Sequence, residues 1–161
     1  MKYAETHYRR LRRHTIYQIG RKYLDNLIEN GKFEEVGPLY QRIFKNEKRL
    51  WEEEITRLIL LNKVDAISTF VPMGPEKNQL KLEPHIYEAI LISLLKTEPR
   101  KDQILLQLVR DWPPKLYESN KIVLVLLDHL VHLPDNQTLK RALATLYRLV
   151  YVLSCYCQKL F

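Results

Sequence analysis

Leu27–Val36 reads LIENGKFEEV, and Leu58–Ile67 reads LILLNKVDAI. At a constant offset of 31 the two stretches pair Leu with Leu, Ile with Ile, Lys with Lys, Phe with Val, Glu with Asp and Val with Ile. Asn30-Gly31 in the first stretch is a helix stop, because glycine enters the left-handed conformation that closes a helix end at little cost. Apolar residues at helical spacing lie on both sides of it. Ile16, Ile19, Tyr23, Leu24, Leu27 and Ile28 form one stripe, and Phe33, Val36, Leu39, Tyr40, Ile43 and Phe44 form the next. A helix–turn–helix unit recurring at about thirty residues is the sequence signature of an α-solenoid, whose units bury their apolar faces by stacking on one another.

Working outward, the pattern stays helical. Gly37-Pro38 is expected to bend the second helix or interrupt its first turns. Leu50, Trp51, Ile55, Leu58, Ile59 and Leu61 mark a third helix, with Glu47 and Glu52–Glu54 toward its start, where carboxylates complement the helix dipole. Val64–Phe70 predicts a short helix ended by Pro72, and residues 72–83 form the clearest long loop. Pro84 and Pro99 each suit the opening of a further helix. Trp112-Pro113-Pro114 breaks the pattern before an apolar helix over residues 122–133, a turn at Pro134–Asn136 and a last helix from Thr138. No alternating β pattern competes, so the fold class is all-α.

The 161 residues are 46% hydrophobic and 28% charged, a globular profile with only four glycines. That argues against glycine-rich phosphate loops. Cys155 and Cys157 stand one residue apart, too close for an ordinary disulfide framework, so a reduced, cytosolic chain is the expectation. No secretory signal is recognisable, and every apolar run falls well short of the roughly 20 residues that span a bilayer, which predicts a soluble protein. Nearly all of the net charge of +7 sits in residues 1–22, on Lys2, Arg9, Arg10, Arg12, Arg13, Arg21 and Lys22 against Glu5 alone.

Site chemistry is scarce. His129 and His132 lie one helical turn apart beside Asp128, yet no HExxH or paired CxxC supplies further ligands, and they read as polar positions on an apolar helix. Cys155-Tyr156-Cys157 reads as packing in an apolar tail. Adjacent Glu52, Glu53 and Glu54 point about 100° apart around a helix and read as a solvated face. Without a nucleophile elbow, a P-loop or a dinucleotide fingerprint, the reading has no catalytic residue, no cofactor and no metal. Trp51 and Trp112 are candidate partner anchors, with core packing as the plainer reading. Arg9, Arg10, Arg12 and Arg13 are candidate contacts for an acidic partner, with a solvated helix end as the plainer reading.

From about Arg13 to Tyr147 the chain resembles the vacuolar protein sorting-associated protein 41 family, subunits of the HOPS tethering complex. The resemblance is carried by IGRKYLDNLIENGKFEEVGPLYQRIF (19–44), LWEEEITRLILLNKVDAISTFVP (50–72), LEPHIYEAILISLL (82–95), LVRDWPPKLY (108–117) and LDHLVHLPDNQTLKRALATLY (127–147). It implies a middle part of a TPR-like, clathrin-heavy-chain-like solenoid that lies between a β-propeller and a RING-type zinc domain in longer family members. Three parts follow: a basic N-terminal arm or helix start over 1–13, an α-solenoid segment over 14–147, and an apolar tail over 148–161 that departs from the family. An uncapped solenoid end implies self-association.

The function expected from these readings is a non-catalytic scaffold. The resemblance implies HOPS subunits as partners, and a cytoplasmic location on the surface of late endosome and lysosome or vacuole membranes. The alternative is a nucleic-acid-binding helical-repeat protein using the basic arm. It would require a recurrent polar code across units, which the two aligned stretches lack.

Overall fold

A computed structural model describes residues 15–74, 80–97, 101–131 and, within 140–151, all but 142, 146 and 149. The ordered elements are α1 (Ile16–Glu29), α2 (Phe33–Phe44), α3 (Lys48–Leu60), α4 (Asp65–Ser68), α5 (Pro84–Lys96), α6 (Asp102–Asp111), a 3₁₀ turn (Pro114–Leu116) and α7 (Ser119–Val131). Further helical residues lie between 140 and 151. Among the described residues there is no strand, only an isolated antiparallel bridge between Met73 and Lys81 at the base of the long loop.

The repeated turn is a repeated hydrogen-bond pattern. After α1, Lys32 N–H donates to the Leu27 carbonyl at 2.9 Å and Gly31 N–H to Ile28 at 3.2 Å. After α3, Lys63 N–H donates to Leu58 at 2.9 Å and Asn62 N–H to Ile59 at 3.1 Å. Both are Schellman ends, which satisfy carbonyls left open by the last helical turn. Their left-handed residues are Gly31 (φ 68°) and Asn62 (φ 54°). Thr15 begins α1 with a capping box, its hydroxyl accepting from Gln18 N–H while the Gln18 side chain accepts from Thr15 N–H.

Alternate helices then stack. α1 packs on α2, α2 on α4, α3 on α5, and α5 on both α6 and α7. Arg21 and Asp25 of α1 reach Glu54 and Arg57 of α3. Helices α1, α3, α5 and α7 therefore form one layer, with α2, α4 and α6 in the other, and this is an all-α helical repeat fold. The core runs continuously through it, from Leu24 and Leu27 through Tyr40, Phe44, Ile55 and Leu58 to Ile90, Leu94, Leu108 and Leu126. Each unit lacks an inner face of its own, so burial of these side chains couples neighbours.

Two expectations change. Pro38 lies inside a continuous α2 and does not interrupt it. Proline's fixed φ is itself helical, and burial of Val36, Tyr40 and Phe44 around it offsets the one lost backbone hydrogen bond. Helix α6 begins at Asp102, with Lys101 at its N-cap, while Pro99 falls outside the described residues. Tyr147, Arg148, Val150 and Tyr151 are helical and Val150 is fully buried, in keeping with the last helix expected from Thr138.

Candidate functional site

Tryptophan burial removes the first candidate anchors. Trp51 is 1% exposed and Trp112 is 3% exposed. Trp51 sits in an aromatic cluster with Tyr40 and Phe44, its indole N–H donating to the Lys45 carbonyl at 3.0 Å. Trp112 meets Tyr87 edge-on at 5.3 Å between ring centres. Both close helix–helix junctions from inside, and neither presents an indole face to a partner. Arg9, Arg10, Arg12 and Arg13 lie outside the described residues, as do His132, Cys155 and Cys157.

The triple glutamate also divides. Glu53 is exposed and pairs with Arg49, whereas Glu54 is fully buried, contrary to the solvated-face reading. Glu54 accepts from the Tyr40 hydroxyl at 3.1 Å and from Arg57 Nε at 3.0 Å, and Arg21 Nε lies 3.4 Å away. Arg57 also donates to Asp25 at 2.6 Å. The carboxylates raise the Arg57 pKa, with the Glu54 hydrogen bond the largest cause. Burial, followed by the Glu54 charge, raises that of Tyr40. The arrangement joins α1, α2 and α3. A carboxylate this fully paired inside the stack is structural, with no free edge toward a substrate.

An accessible concavity lies on the second layer. Helix α4 has four residues, where its neighbours α2 and α6 have twelve and ten. The chain leaves α4 through Thr69–Pro72, and the Phe70 ring rests directly on Gly37 of α2. A hollow of about 410 Å³ opens on one side of Phe70, between Lys45, Trp51, Met73 and Leu80. A second, of about 400 Å³, lies between Phe33, Phe70, Ile104 and Lys101. A third, of about 210 Å³, continues past Phe33 to Lys63 and Thr97. The first two share Thr69 and Phe70, and the last two share Phe33, Asp65 and Lys101, so the three hollows adjoin in a row, a trough along α4. Sequence reasoning missed its lining, although the brevity of α4 before Pro72 was a signal.

Among the described residues no group of three or more His, Cys, Asp or Glu side chains is placed to hold a metal ion. No described helix is long and apolar enough to cross a membrane. What the geometry offers is a stacked surface with a groove.

Residues 18–151 match the family model of the Vps41 TPR-like region. The chain belongs to the Vps41 family. It is 34% identical over 144 residues to the vacuolar protein sorting-associated protein 41 homologs of Danio rerio and Mus musculus, covering 89% of this chain and 16% of each relative. Over 132 residues it is 26% identical to vacuolar protein sorting-associated protein 41 of Schizosaccharomyces pombe, covering 82% of this chain and 14% of that one. The chain thus spans about a sixth of the length of the curated relatives it matches. No solved structure matches it. The Vps41 match runs from the first turn of α1 through α7 to the helical residues beyond it.

Proposed function

We propose that this Vps41-family segment is a non-catalytic scaffold in vacuolar protein sorting, acting within a vesicle-tethering assembly. Its inward helix faces hold the stack together, and its outward faces hold other HOPS subunits at the cytoplasmic surface of late endosomes and the lysosome or vacuole. One observation carries this reading: the match to a TPR-like region covers residues 18–151, over which alternate helices pair in two layers. Repeats of this kind present long surfaces suited to holding other chains. The buried Glu54 cluster supports the non-catalytic part, because its groups satisfy one another inside the stack.

The test is affinity purification of the tagged chain from cells, with co-purifying proteins identified by mass spectrometry and folding checked by circular dichroism. Recovery of HOPS subunits is the expected result. A helical, folded chain that recovers none of them would overturn the tethering role.

A further inference from the structure

The trough over α4 has a chemistry of its own. Its floor and walls are apolar where Phe33, Phe70 and Ile104 meet, and Phe33 is 45% exposed. Among the described residues its charged lining is Lys45, Lys63 and Lys101 against Asp65. Asp65 is already engaged, with Lys101 Nζ 3.1 Å from its carboxylate. Lys45 and Lys63, at opposite ends, make no ion pair among the described residues. The described lining therefore carries surplus positive charge around an apolar centre.

That combination selects an occupant. The chain's own arm bears Arg9, Arg10, Arg12 and Arg13, and residues 152–161 bear Lys159 with no acid, so both carry the wrong sign. A second copy, with a net charge of +7, is likewise disfavoured. A bare polyanion would satisfy the lysines and leave Phe33, Phe70 and Ile104 uncovered. A segment with both apolar and acidic side chains meets every requirement. The trough also runs where the second layer has four helical residues in place of ten or twelve.

We infer that this trough docks an acidic amphipathic helix of a partner protein, its apolar side chains on Phe33, Phe70 and Ile104 and its carboxylates toward Lys45 and Lys63. This is helix-in-groove recognition, with complementary charge steering the encounter. The inference rests on the scaffold reading and names the surface through which one partner is held.

The test is a titration of the full chain with short fluorescein-labelled peptides, read by anisotropy. The probe has leucines at helical spacing with glutamates between them. One control replaces every glutamate by lysine, and the other replaces every leucine by serine. The acidic leucine peptide is expected to bind at least about tenfold more tightly than either control. The double variant K45E/K63E should weaken it by roughly tenfold, while K22E, outside the trough, leaves it unchanged. Circular dichroism establishes that the double variant is folded, and F33S provides a second, apolar arm.

No binding of the acidic leucine peptide would overturn the inference. Equal binding of the serine control would also do so, by making the trough a plain anion site open to nucleic acid or lipid headgroups. So would self-association abolished by K45E/K63E, which would make a second copy the occupant. Co-purification of HOPS subunits by the wild-type chain is read separately, so recovery of those subunits without peptide binding sinks the trough alone.

Discussion

Glu52 and Glu88 each stand fifth in their helix, and each gives a carboxylate oxygen to the backbone N–H that opens the next helix of the same layer. Glu52 Oε1 accepts from Glu83 N–H at 3.1 Å, and Glu88 Oε1 accepts from Glu118 N–H at 3.0 Å. A side chain from one repeat thus caps the following repeat, satisfying a donor near the helix start and placing negative charge at the positive end of the dipole. Lysines complete both junctions, Lys48 with Glu83 and Lys121 with Glu88 and Glu118. These lysines are largely exposed, and such pairs add little. The carboxylate-to-backbone bond is the stronger part.

Glu88 is the more buried of the two, at 7% exposure. Replacing it by Ala leaves the Glu118 N–H without its acceptor in a part-buried junction, a loss of about 1.5–3 kcal/mol. Glu88→Gln keeps an acceptor oxygen and should recover about half of that. Glu52→Ala, at a wetter junction, should cost about 1 kcal/mol, since water can replace the carboxylate. Urea denaturation midpoints at constant slope give the ranking, and a Glu52 variant as damaging as the Glu88 one would refute it.

Gly37 and Gly20 separate two kinds of close approach. A Cβ on Gly37 would fall 2.2 Å from the Phe70 ring, whereas one on Gly20 would meet the Ile43 Cδ1 methyl at 2.6 Å. The Ile43 Cδ1 methyl can swing aside, but Cγ1 at 3.0 Å and Cγ2 at 3.3 Å belong to a stiff β-branched side chain and must give by a few tenths of an ångström. Better helix propensity, about 1 kcal/mol, offsets part of that crowding, so Gly20→Ala should cost less than Gly37→Ala. Three Phe70 ring atoms lie within 2.5 Å of a Cβ placed on Gly37 and the rigid ring must move as a unit, so Gly37→Ala should destabilise by about 1–3 kcal/mol and disturb the trough wall. Thermal melts of the two variants distinguish them. Equal melting temperatures would mean that Phe70 repacks freely.

The offset-31 turn is legible in the sequence because a Schellman end has strict local needs: a left-handed residue after the helix and an apolar residue on each side. Thr15-x-x-Gln18 is equally local, but it stands at the edge of a basic segment whose charge masks the helix start. The burial of Glu54 is not legible. Its neighbours Glu52 and Glu53 have the same side chain, and two of its partners, Tyr40 and Arg21, come from other helices. Trp51 and Trp112 can be read either as core or as anchor, because amphipathic spacing alone does not tell which side a neighbouring repeat covers. The trough is half legible: Pro72 cuts α4 short in plain view. The convergence of Lys45, Lys63 and Lys101 depends on the stacking of three units.

The two turns also differ in what their left-handed residues cost. A Cβ on Gly31 would have no other atom within 4 Å, so Gly31→Ala meets no clash and is penalised for φ 68° alone, about 1–2 kcal/mol. Asn62 at φ 54° already bears part of that strain, and Asn62→Gly should relieve it by about 0.5–1 kcal/mol. The two substitutions should therefore move stability in opposite directions. Paired urea titrations in which both destabilise would show that the Asn62 side chain contributes something the backbone geometry does not account for.

Tyr40 supplies a dependence on pH. Burial, then the Glu54 charge and the hydrogen bond to Glu54, raises its phenol above the ordinary value of 10.0. Below pH 10 the phenol keeps its proton in the folded and unfolded chains alike, and the stability of the Tyr40–Glu54 contact is fully present. As pH rises through 10 the unfolded chain releases that proton while the folded chain holds it, so stability falls, and it goes on falling until the raised folded value is reached. One such group lowers stability by about 1.4 kcal/mol per pH unit in that window. Tyr17 and Tyr87, also raised by burial, act in the same direction and remain in any Tyr40 variant. Tyr40→Phe should therefore be less stable than wild type at pH 7 by about 1.5–3 kcal/mol, from loss of a hydroxyl bonded to a buried carboxylate. Above pH 10 the gap should narrow. Urea titrations of both chains between pH 7 and pH 11 test this, and a gap that stays constant to pH 11 would show that the Tyr40 phenol titrates in the folded chain as it does in water.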